Sequence, residues 1–448
     1  MPTPLSSVNR LDEFGLPVSA GAAACDAYGR AVRAMLTADV GAEQALDEAL
    51  ACEPDFALAH IARARLLWMR AELPAAREAS AVARRCAEGS SRRERQHVAM
   101  IAEVVEGRPV QALAAAREHL AEFPRDAMVV APCTNVFGLF GFSGRPGWEY
   151  ELRDFLDALA PAWVDDGWFM SLHAFAVGEA GDHDRARRLI GRSLELAPRN
   201  AHGAHAYAHL LYEVDDPATT VSFLREWLPG YPADAQFNVH LNWHLALSLL
   251  RAGQPDQAWA VYRAQVHPAG RDGPQLNILT DAAAFLWRAE LSGHAVSRGD
   301  WQTVCDYAAA RFPQPGLAFA DCHVAMALAA LGDHRRLEQL VDALEALLAA
   351  GRLPAGAVVP AMARAFGALR AGDARAAVGW LHPLRHDVQR VGGSRAQRDL
   401  PAWVLLRACE EAGHRELADA LRAEPRLRGL PAMPGAGPVR NEAPATPG

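Results

Sequence analysis

Runs of small and apolar residues alternate along this chain with short polar stops, at the spacing expected of paired amphipathic helices. Each stop joins alanine or glycine to an acidic or polar residue, and a proline often closes the second run. The stretch "GEAGDHDRARRLIGRSLELAP" (178–198) shows the pattern most clearly. It returns in "RAGQPDQAWAVYR" (251–263), "LGDHRRLEQLVDAL" (331–344), "AGDARAAVGWLHPL" (371–384) and "EEAGHRELADALRAEP" (410–425). Counting back from each turn predicts helical units starting near residues 23, 57, 93, 167, 201, 239, 285, 318, 358 and 399.

Several neighbouring starts lie 34 residues apart, a period that resembles the tetratricopeptide repeat. The repeat's small residues and closing proline fall on Ala174, Ala186 and Pro198 in one unit, and on Ala208, Thr220 and Pro232 in the next. Small side chains let the two helices approach, and proline removes a backbone donor and ends the second helix. The expected fold is therefore an all-α, tetratricopeptide-like superhelix of about ten hairpins. Its expected parts are an N-terminal extension (1–22), N-terminal repeats (23–126), and a degenerate repeat with a glycine-rich insertion (127–166). Central repeats (167–270), C-terminal repeats (271–430) and a disordered, proline-rich tail (431–448) follow.

Composition narrows the function. The 448 residues are 51% hydrophobic and 22% charged, as in a folded protein. All 45 basic residues are arginine, which reads as genome-level bias. The net charge of −8 comes without a basic block, so nucleic acid and anionic membranes are not expected partners. The seven cysteines are scattered and never form C-x-x-C, which favours a reducing cytoplasm over a disulfide framework. No export signal or membrane-spanning run is evident.

The densest chemistry lies in "AHGAHAYAHLLYE" (201–213). At about 100° per residue, His202, His205, His209 and Glu213 fall within roughly 80° of one another on a single helix face. The next unit opens with "NVHLNWHLALSLL" (238–250), where His240 and His244 repeat the i, i+4 spacing around Asn242 and Trp243. The preceding unit offers Trp168, Phe175 and Glu179, with His173 nearby. In the repeat register these positions line the concave groove. Histidines one turn apart chelate transition metals, although H-E-x-x-H is absent.

Three readings follow. The groove binds a peptide or small organic ligand, with the histidines, Glu213, Asn242, Trp168, Phe175 and Trp243 as contacts. Alternatively, His205, His209, His240 and Glu213 hold a divalent transition metal in an enzyme that uses Glu179 or His244 as general acid or base. In the third, the chain is an assembly scaffold for a protein partner and the cluster is incidental.

Other stretches carry less. In "FADCHVAMALAALGD" (319–333), Asp321, Cys322 and His323 adjoin, but neighbours on a helix diverge by about 100°, so no thiolate–imidazole pair forms. Cys322 still takes a groove-facing place. Ser394 in "GGSRAQRDLPAW" (392–403) is placed to cap a helix, and the same terminus suits an anion beside Arg395 or Arg398. The run "GLFGFSGRPG" (138–147) lacks a dinucleotide-binding pattern and reads as a flexible insertion.

Together, "AHGAHAYAHLLYE", "HLNWHLALSLLRAG", "FADCHVAMA" and "GGSRAQRD" resemble the tetratricopeptide repeat protein 38 family, the StaR-like group. The resemblance spans about residues 23 to 425 and places the family's histidine pairs on His202, His205, His209, His240 and His244. It implies the repeat fold and a link to secondary metabolism, without a settled reaction. Val214, Asp215 and Asp216 depart from the small-residue turn expected there.

Overall fold

The computed structural model describes residues 10–424, so the tail expected from 431 lies outside the described residues. It is an all-α solenoid. Three hairpins lead: α1 (Ala22–Thr37) with α2 (Ala42–Cys52), α3 (Ala57–Met69) with α4 (Leu73–Cys86), and α5 (Arg92–Val105) with α6 (Pro109–Glu122). An irregular unit of α7 (Ala127–Cys133) and α8 (Trp148–Leu159) follows. The central hairpins pair α9 (Gly167–Glu179) with α10 (His183–Leu196), α11 (Ala201–Glu213) with α12 (Pro217–Trp227), and α13 (Asn238–Arg251) with α14 (Pro255–Val261). The last four pair α15 (Gln275–Leu291) with α16 (Arg298–Arg311), α17 (Ala318–Leu331) with α18 (His334–Ala349), α19 (Val358–Arg370) with α20 (Ala374–Leu381), and α21 (Arg395–Ala412) with α22 (Arg415–Ala423). Within the N-terminal extension, Arg10–Leu11 pairs antiparallel with Pro17–Val18.

The polar stops work as helix caps. Asp182, Asp216, Asp333 and Asp373 each precede the second helix of a hairpin, and each side chain accepts a backbone N–H three residues on. Those N–H groups have no partner within the helix, so the acid both satisfies one donor and favours the positive helix end. Asp216 therefore does at the departing Val214–Asp216 turn what the small-residue turn does elsewhere. Ala174, Ala186, Ala208 and Thr220 are buried, as close approach of paired helices requires.

Two register expectations shift. Helix α15 begins at Gln275, ten residues before the start expected near 285, and α21 begins at Arg395 rather than near 399. The first shift follows from a wide π-type turn at Tyr262–Val266 that ends the α14 helix, after which Pro274 starts the next one early.

The concave side is filled. The segment 134–147 crosses toward the C-terminal units, where Phe137 meets Phe319 at 5.3 Å and Arg390 Nε donates to the Gly144 carbonyl at 2.9 Å. Gly144 has φ +70°, and a side chain there would meet the Pro354 carbonyl at 2.4 Å, so close packing dictates the residue. The glycine run expected to be flexible is a packed wedge. From the other end, the start of α21 enters the interior, where the Arg395 N–H donates to Glu179 and Arg288 donates to the Ala396 carbonyl. Two apolar cores result, one from residues 18–210 and one from 201–421 together with Ala38, and both draw residues from α11.

A buried four-histidine cluster

Helices α11 and α13 lie side by side at the seam between those cores. The i, i+4 pairs His205/His209 and His240/His244 face each other there, and all four side chains are buried. One ligand nitrogen from each lies within 4.8 Å of the others. His209 Nε2 sits 2.9 Å from His205 Nε2 and 3.1 Å from His244 Nε2. An imidazole nitrogen carries either one N–H or one lone pair, so the central Nε2 can satisfy only one of these neighbours by hydrogen bonding. Three ring nitrogens are thus crowded together with too few protons to bond every pair.

Two carboxylates stand behind the rings, and one of them sets a tautomer. Asp281, on α15, accepts from His240 Nδ1 at 2.8 Å, which leaves the lone pair on that ring's Nε2. Glu179, on α9, places Oε1 3.6 Å from His209 Nδ1, just beyond hydrogen-bonding distance, so it supplies a negative charge beside that ring without a hydrogen bond. This carboxylate–imidazole pairing is the usual outer support of a metal-bound histidine.

The electrostatics agree. Burial first, and neighbouring imidazoles second, hold His205 and His244 well below the usual histidine pKa. Burial also lowers His209, against the pull of Glu179. All three are therefore neutral at pH 7, the form that binds metal. Burial pushes the Asp281 carboxyl up, with His240 opposing. For Glu179 burial is outweighed by His209, Arg398 and the Arg395 N–H, so its carboxylate stays ionised.

The remaining groups divide. Phe175 stacks on His205 at 5.2 Å and meets His209 edge-on at 4.9 Å, closing one side. Trp243 stacks on His240 at 5.1 Å and closes another. His202 packs against Phe237 at 4.9 Å and stays outside the four, with burial lowering its pKa to about 4. Glu213 also lies outside, paired with Arg395 at 3.3 Å and 3.7 Å from His183. Asn242 bonds back to Asn238, and His173 pairs with Asp157. Trp168 packs on Trp163. Cys322 touches Met362 at 3.8 Å, and burial pushes its thiol pKa up. Ser394 caps α21 in a reciprocal box with Gln397.

These residues were expected to line an open groove, and they do not. His205 is 7% exposed, Phe175 7%, Trp168 8% and Trp243 0%, because the wedge and α21 occupy the concave side. A peptide has no surface to lie on there. Asp281 was missed in the sequence, although an aspartate within "NILTDAAAFLW" on an apolar helix was a signal for it.

No family model matches the chain. Among solved structures, a chain of "Structure of Naa15/Naa10 bound to HypK-THB" is similar at 13% sequence identity, covering 93% of this chain and 64% of that one, with a TM-score of 0.26. The protein spans less than two thirds of that chain's length, and a likeness this weak says nothing of what it does. Among the described residues, no helix is long and apolar enough to cross a membrane.

Proposed function

We propose that this α-solenoid is a metal-binding protein whose four-histidine cluster holds one divalent first-row transition ion. Zinc matches the donor set best, since it favours four nitrogen or sulfur ligands in a closed tetrahedral shell. The carrying observation is the row of three Nε2 atoms at 2.9 and 3.1 Å, which their own protons cannot satisfy. A tetrahedral ion with bonds of about 2.0–2.1 Å sets its ligand nitrogens about 3.3–3.4 Å apart, so the two short pairs open by a few tenths of an ångström, while the widest pairing in the set, which spans up to 4.8 Å, closes by about an ångström or more on binding.

In this reading His205, His209, His240 and His244 are the ligands, Asp281 fixes the orientation of His240, and Glu179 supplies a negative charge beside His209. Glu179 and His244, first considered as acid–base groups, are assigned to support and ligation instead. Four protein donors leave no coordination position for substrate, so the ion's role is to join α11 to α13 at the seam of the two cores. The resemblance to the tetratricopeptide repeat protein 38 family is in keeping with this, because three of the stretches that carry it supply the cluster and the α21 start that touches Glu179.

Zinc titration against a competing chelator tests the proposal. The native chain takes up one equivalent and gains thermal stability. His205→Ala/His209→Ala keeps its helical circular dichroism and loses that uptake. Equal uptake by native and variant chains overturns the reading.

A further inference from the structure

A second site lies on the other side of Glu179. Between α8, the segment after α20, and α21 is a pocket of about 210 Å³. That is below the roughly 300 Å³ at which drug-sized sites begin, so it suits a single small metabolite. Its lining mixes aliphatic side chains, among them Leu381, Val388, Leu405 and Leu421, with charged ones: Glu149, Glu179, Asp399 and Glu424 against Arg385, Arg395 and Arg398.

The charges are unevenly matched. Arg398 reaches both Glu149 Oε1 and Glu179 Oε2, and Arg395 reaches Glu213. Glu149 Oε2 has no hydrogen-bond partner among the described residues, although the side chain is only 8% exposed. A buried carboxylate oxygen without a donor costs free energy, and an ammonium group supplies what it needs. On the outer side, the Arg385 guanidinium donates to the His382 carbonyl, a neutral acceptor, and has no carboxylate within ion-pairing distance among the described residues, with His386 beside it on the exposed rim. A carboxylate matches that rim.

We infer that this pocket binds a small zwitterion, an α-amino acid with an aliphatic side chain. Its ammonium meets the Glu149 carboxyl once that side chain turns its shielded Oε2 toward the cavity, its carboxylate meets Arg385 at the rim, and its side chain lies against Leu381, Val388, Leu405 and Leu421. The site stands apart from the metal reading, since neither Glu149 nor Arg385 contacts a histidine of the cluster.

Calorimetric titration of the full chain, metal-loaded and chelator-stripped, with three probes tests the inference. These are L-leucine, 4-methylpentanoate, which lacks the amine, and isopentylamine, which lacks the carboxylate. L-Leucine is expected to bind at least tenfold tighter than either analogue in both preparations. Glu149→Gln is expected to reduce leucine affinity at least tenfold while leaving 4-methylpentanoate unchanged. Arg385→Ala, at an exposed position, is expected to weaken leucine and 4-methylpentanoate alike. Should Glu149→Gln unfold, Arg385→Ala decides. No binding of leucine overturns the inference, as does 4-methylpentanoate binding as tightly as leucine, which marks a plain anion site. Failure of the zinc titration alone leaves it standing.

Discussion

Replacing Asp281 by asparagine separates a metal-supporting carboxylate from a merely structural one. Asp281 Oδ2 accepts from His240 Nδ1 at 2.8 Å inside a 1% exposed side chain, so the change keeps shape and removes charge. With the amide carbonyl toward the ring, the tautomer survives but Nε2 becomes a weaker donor. With the amide NH₂ toward the ring, Nδ1 must accept, and Nε2 takes the proton and ceases to be a ligand. Loss of such a partner weakens metal affinity about 10–100-fold, or about 1.4 to 2.8 kcal/mol. The metal-free protein responds differently. There, burial holds the Asp281 pKa above its ordinary value, so the carboxylate is a burden on the fold and an amide relieves part of it. Competition titration with a zinc indicator reads the first effect, and thermal unfolding with and without chelator reads the second. Affinity within twofold of native refutes the assignment, and so does an equal loss of thermal stability in both forms.

Acid should destabilise the metal-free protein through its buried histidines, against Glu213 and Asp321, whose carboxyls burial pushes up to about 7 and which therefore gain stability as pH falls. Burial lowers the His323 pKa from 6.5 to about 4, so between those values only the unfolded chain binds its proton, and stability falls as pH falls. Each such histidine costs about 1.4 kcal/mol per pH unit in that window, and His205 and His244 act in the same direction. Urea midpoints at pH 7 and pH 5, taken in a Glu213→Gln/Asp321→Asn background that removes the opposing carboxyls, measure this, and an unchanged midpoint there contradicts it. Gly393→Ala should loosen the start of α21, because φ is +82° and a Cβ would meet Phe319 at 2.4 Å. A loss on the order of 1–3 kcal/mol in thermal unfolding is expected, and a native melting curve argues against the described docking.

Much of the solenoid is written locally. The capping aspartates Asp182, Asp333 and Asp373 and the small residues at helix crossings act within one unit, so periodicity reveals them. Local reading slipped at 267–274, where an irregular turn and Pro274 reset the register by ten residues. That slip hid Asp281, whose partner His240 lies 41 residues away. Both histidine pairs were legible because i, i+4 spacing is helical geometry. Their burial was not, since it depends on Phe137, Gly144 and Ser394–Asp399 reaching across the superhelix, contacts that join residues far apart in the chain. Glu213 shows the same limit: it shares the helical face of His205 and His209, yet one more turn carries it to Arg395 rather than to the cluster.

The central claim is tested most directly by elemental analysis of the full chain, purified without an affinity tag and equilibrated with divalent metals at neutral pH. The account predicts close to one transition-metal ion per chain, predominantly zinc, falling to background in His205→Ala/His209→Ala. A native chain that retains less than about a tenth of an equivalent after that treatment contradicts it, because the buried, neutral four-nitrogen site should hold its ion through desalting.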